Sequence, residues 1–68
     1  MSDIVYCIEK VPENRFLRSE PTPQRSAVWC NTAEFALSWE SKDEARNVMV
    51  RITPRVRGHL HVTPIEVV

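Results

Sequence analysis

Apolar side chains at Ala45, Val48, Met49 and Ile52 recur at i, i+3, i+4 and i+7, with Asp43, Arg46, Asn47 and Arg51 on the opposite, polar side. That period predicts an amphipathic helix over residues 41–54. Ser41 and Glu44 stand at capping-box spacing, Asp43 and Glu44 favour the positive end of the helix dipole, and Arg51 favours the negative end. Pro54 is expected to stop the helix and to push the residue before it toward extended angles. A second pattern precedes it. Ile4, Tyr6 and Ile8 share one face of a predicted strand over residues 4–8, and Val5 and Cys7 share the other; apolar residues on both faces place this strand inside a sheet. Residues 11–14, with Pro12 and Asn14, read as a turn, and residues 15–18 as a short second strand.

Residues 19–26 contain two prolines and no large apolar side chain, and read as a loop. Residues 27–39 hold both tryptophans; Asn31 or Thr32 is placed to cap one helical turn through residues 33–37, and Trp29 and Trp39 are expected to close over the ends of the main helix. Past a bend at Gly58, Leu60 and Val62 alternate with His59, His61 and Thr63, which predicts a strand over residues 59–68 with a polar face. Pro64 lacks an N–H, so the strand belongs at an edge or is bulged there. The elements add up to a single α+β domain over residues 1–68: a small antiparallel or mixed three-stranded sheet with one covering helix, in the order β-β-α-β.

Composition changes this picture little. The 68 residues are 43% hydrophobic and 26% charged with one glycine, a globular mixture near the lower size limit for a single core. A core of that size gains from further burial, so a homodimer is a natural expectation. No apolar run is long enough to span a bilayer and the first residues lack the pattern of a secretory signal, which predicts a cytoplasmic protein with no membrane partner. Cys7 and Cys30, flanked by apolar residues, are then expected to be buried free thiols.

Charge adds more. The nine acids and nine bases cancel, yet eight of the acids lie in residues 1–44, whereas Arg46, Arg51, Arg55 and Arg57 face only Glu66 in the remainder. Such a split suits steering toward a charged partner. Arg46, Arg51, Arg55, Arg57, His59 and His61 form a predicted basic ribbon, with Trp29 as an aromatic anchor; arginine and tryptophan are the side chains that dominate binding hot spots.

Catalysis finds no support. His59 and His61 share a strand face, as two metal ligands do, but lack neighbouring third and fourth ligands. The apolar settings of both cysteines argue for raised thiol pKa values rather than activated nucleophiles. One glycine cannot build a phosphate-binding loop. The expectation is therefore a protein that is not an enzyme and carries no cofactor or metal.

The run Trp29, Ala33, Ala36, Trp39, Ser41, Glu44, Ala45, followed by an apolar stripe and a strand through Val62, Pro64, Ile65 and Val67, resembles small bacteriophage accessory proteins. Those begin with a hairpin and then read W…A…F-x-[ST]-x-x-E-A before a helix and a strand; Trp39 stands where they have phenylalanine. The likeness covers about two thirds of the chain and leaves the proline loop and residues 55–61 without counterpart. It implies a protein that binds and occludes a host protein, including nucleic-acid-handling defence complexes such as CRISPR machinery, with structural rather than catalytic motif residues. The alternative is direct nucleic-acid binding through the basic ribbon, whose guanidinium groups suit phosphates. The neutral balance and the lack of a recognisable reading motif weigh against it.

Overall fold

The computed structural model describes residues 3–67 apart from Pro12, so the proline of the first turn and Val68 of the last predicted strand lie outside the described residues. Among these the chain forms four strands, β1 (Asp3–Val11), β2 (Arg15–Ser19), β3 (Val28–Cys30) and β4 (His59–Val67), with one α-helix, α1 (Lys42–Ile52), and 3-10 turns at Ala33–Phe35 and Thr53–Arg55. The sheet is antiparallel throughout, in the order β3-β2-β1-β4. The α+β class and the covering helix agree with the sequence; the three-stranded sheet does not. The added strand is Val28–Cys30, where Phe16 faces Cys30 and Leu17 faces Trp29. Three residues are too few to show a period of two, so pairing with β2 rather than local pattern makes them a strand.

β1 is interior, as its two apolar faces require. Glu9 and Lys10 pair with Phe16 and Arg15, and all nine residues of β1 pair with β4. Asn14 at φ 57 closes the β1–β2 turn in the left-handed region that asparagine tolerates. β4 lies at an edge without a register shift. Tyr6 donates its N–H to Trp39 and accepts from the Trp39 N–H, at 2.8 and 2.9 Å. Both backbone groups of Tyr6 therefore turn away from β4, and its partner Pro64 directs its nitrogen outward, where no ladder bond is lost.

The core lies between the sheet and α1. Ile8 and Leu17 are fully buried and Ile52 nearly so, and Trp29, Leu37, Trp39, Val48, Met49, Val56 and Leu60 pack around them. Burying each of the three aliphatic side chains stabilises the fold by about 1.5–3 kcal/mol relative to exposure. Ala45 and Ile52 are the buried members of the helix stripe, with Val48 and Met49 half-buried beside them.

Both helix ends depart from expectation. Ser41 is the N-cap residue, with extended φ and ψ, but its side chain makes no capping bond; its carbonyl simply accepts the first helical bond, from the Ala45 N–H at 3.2 Å. At the other end Pro54 does not force its predecessor into extended angles. Thr53 stays in the right-handed helical region, donates its hydroxyl to the Met49 carbonyl at 2.6 Å, and opens the 3-10 turn that carries Pro54. A proline in the first turn of a helix has no N–H to lose, so the helix tightens instead of breaking. The chain becomes extended only at Val56.

Candidate binding surface

The eight-residue connection from β2 to β3 is more ordered than a plain loop. Thr22 and Arg25 exchange backbone hydrogen bonds of 2.9 and 3.2 Å, and the Thr22 hydroxyl accepts from the N–H groups of Gln24 and Arg25. Pro23 holds the second position of this closed turn, where its fixed φ is an advantage. The turn faces Arg55 in the 3-10 segment after α1, and together they line an open cleft of about 390 Å³ whose rim is Pro21, Thr22, Pro23, Gln24, Arg25, Ser26 and Arg55. Arg51, on the last turn of α1, reaches Glu20 at 2.7 Å beside it. Both partners of that pair are solvated, so it fixes position more than it adds stability.

Arg25 is the member that sequence reasoning missed. Thirty positions separate it from Arg55, and only the β2–β3 turn brings the two residues to one cleft. A signal was present in the closed-turn sequence Thr22-Pro23-Gln24-Arg25, which directs its last residue back toward the fold.

The predicted ribbon is divided. Arg46 is exposed on α1, Arg51 is paired with Glu20, Arg55 lines the cleft, and Arg57 is exposed in the bend before β4. His59 and His61 alternate with Leu60 and Val62, and Leu60 packs into the core beneath α1. The two imidazoles therefore belong to the opposite face of the sheet. Trp29 is half-buried against the core, with the Lys10 ammonium 5.5 Å from its ring centre. At that distance the ring face attracts the cation.

On the face away from α1, Glu9 is tied to β4. Its Oε1 accepts from the Thr63 hydroxyl at 2.9 Å and lies 2.9 Å from His61 Nε2. A carboxylate only accepts, so Nε2 carries the hydrogen in this contact. The bonds from His61 first, and Thr63 second, hold the Glu9 carboxyl below its ordinary value against a smaller opposing effect of burial. A depressed carboxylate stabilises the fold above its unfolded pKa, and that contribution is lost as pH falls through the lower folded value. Urea melts taken from neutral pH down through the carboxylate range should thus show a steeper loss for the wild type than for Glu9→Gln; parallel losses would contradict the coupling.

Cys7 is buried and Cys30 half-buried, and neither is in a disulfide. Burial, and then the neighbouring Cys30, push the Cys7 thiol up, which keeps it protonated and poorly nucleophilic at neutral pH. The Cys30 thiol donates to the Thr32 carbonyl at 3.1 Å. Among the described residues no three His, Cys, Asp or Glu side chains gather to hold a metal ion, and no helix is long and apolar enough to cross a membrane.

No protein-family model matches the chain, and no curated protein or solved structure matches it at a significant level.

Proposed function

We propose that this chain is a non-enzymatic binding protein that covers an acidic surface on a host protein, with the cleft between the Thr22–Arg25 turn and Arg55 as its recognition site. The observation that carries the reading is the convergence of Arg25 and Arg55 on one cleft whose rim is polar and proline-rich. A guanidinium is a planar fork of donors that pairs with carboxylates in two-bond geometry. The turn that supplies Arg25 is closed by its own hydrogen bonds, so little order has to be gained on binding. The likeness to phage accessory proteins supports a host partner, including a nucleic-acid-handling defence complex such as CRISPR machinery, in the host cytoplasm.

Protein is favoured over nucleic acid as the direct ligand. A duplex binder needs a continuous tract of free cations along the phosphates. Here Arg51 already pairs with Glu20, and His59 and His61 lie across the sheet from α1.

Affinity capture from host lysate, with and without nuclease, tests the reading. One stoichiometric partner should survive nuclease and be lost with Arg25→Glu/Arg55→Glu, a variant of two exposed side chains whose folding is checked by circular dichroism. Capture that vanishes with nuclease, together with tight and steeply salt-dependent binding of the pure protein to duplex DNA, would replace this reading with the nucleic-acid one.

A further inference from the structure

We infer that β4 is a self-complementary edge through which two copies of this chain pair into one continuous eight-stranded antiparallel sheet. β4 is nine residues long and borders the sheet on one side only. Because Tyr6 turns both its backbone groups toward Trp39, the Tyr6–Pro64 pair is not hydrogen-bonded. Leu60, Val62, Pro64 and Glu66 accordingly direct their backbone groups outward. Among the described residues none of these outward groups has a backbone partner.

An unpaired edge of this length is a template for another strand, and a two-fold axis makes the partner a second copy. The length of overlap selects the register. With Thr63 opposite Thr63, Leu60 and Glu66 exchange two bonds, and Val62 donates one to the Pro64 carbonyl. Symmetry repeats the set, for about six bonds in all. Centring the axis on Val62 or on Pro64 leaves about four among the described residues: Pro64 costs two bonds in each of the three registers, and these two overlap fewer outward-facing residues.

Charge favours the same antiparallel arrangement. β4 starts just after Arg57, with His59 as its first residue, and ends beside acids: Glu66 on the strand itself, and Asp3 and Glu40 around a cleft that also holds Val67. Antiparallel pairing brings each basic start to the acidic end of the other copy. Threonine opposite threonine at the centre is a favourable cross-strand pair, and half-buried Leu60, Val62 and Ile65 gain cover that a domain of this size lacks. The β2–β3 turn is on the other side of the sheet, so the pairing leaves both arginine clefts open.

Sedimentation equilibrium over a wide concentration range, combined with amide exchange read residue by residue, tests the pairing. A monomer–dimer equilibrium is expected, with the Leu60, Val62 and Glu66 amides becoming protected as concentration rises. Glu66→Pro removes one outward donor per copy and should weaken the dimer about tenfold or more. Pro64→Val supplies the missing donors and should tighten it by a similar factor, so a folding failure of the first variant still leaves a decisive measurement. A protein that stays monomeric at every concentration, or a dimer indifferent to Pro64→Val and without concentration-dependent protection of those amides, would overturn the inference.

Discussion

Ile52→Ala is expected to cost about 2–5 kcal/mol, the range for removing a buried aliphatic side chain and leaving its cavity. At about 0.05–0.15 kcal/mol per residue a domain of this length has roughly 3–10 kcal/mol in total, so the variant loses a substantial share of its stability. The size of the effect follows from position. Ile52 is the residue of α1 that enters the cluster of Ile8 and Leu17, so truncating it opens the contact between the two layers. Ser41→Ala is the contrast. The sequence alone makes Ser41 half of a capping box worth about 1 kcal/mol, whereas its side chain makes no cap bond; the expected change is within about 0.5 kcal/mol. Urea melts of the two variants check both numbers. A loss at Ser41 equal to that at Ile52 would mean that α1 is held by its end rather than by its stripe.

Gly58→Ala is expected to cost about 1–3 kcal/mol, through the backbone rather than through a clash. Gly58 has φ +106°, outside the range that L side chains readily adopt, and a Cβ there would meet nothing closer than the Lys10 Cε at 3.4 Å, the mobile end of a flexible chain. The strain falls on the bend that delivers His59 into register opposite Val11, so β4 is the element it weakens. A double-mutant cycle with Lys10→Ala separates the causes. Coupling near zero is expected; rescue of Gly58→Ala by trimming Lys10 would show instead that crowding is responsible.

What the chain discloses before folding depends on the length over which a pattern repeats. The stripe from Ala45 to Ile52 runs through two helical turns and fixes the buried face of α1. Ile4 to Ile8 is apolar on both faces, which places β1 inside the sheet, and Pro64 calls for an edge or a bulge in β4, of which the edge is realised. Val28–Cys30 could not be read in this way, since its strand character resides in Phe16 and Leu17 of another segment. The helix ends were misread for a related reason: the Ser41–Glu44 spacing and Pro54 each permit a local bond or a local stop, and the surrounding chain decides which is used. The candidate site was the least legible. Arg55 stood in the predicted ribbon, but Arg25 reaches it only through the β2–β3 turn. The alternation of His59 and His61 with Leu60 and Val62 already contained the signal that the histidines lie on the other face.

The most direct test of recognition through the arginine cleft is a calorimetric titration of the purified captured partner with wild type and with Arg25→Glu/Arg55→Glu. The predicted result is a stoichiometric complex weakened at least tenfold in the variant, about 1.4 kcal/mol or more, with its thermal unfolding unchanged. Equal affinity in a fully folded variant would contradict it.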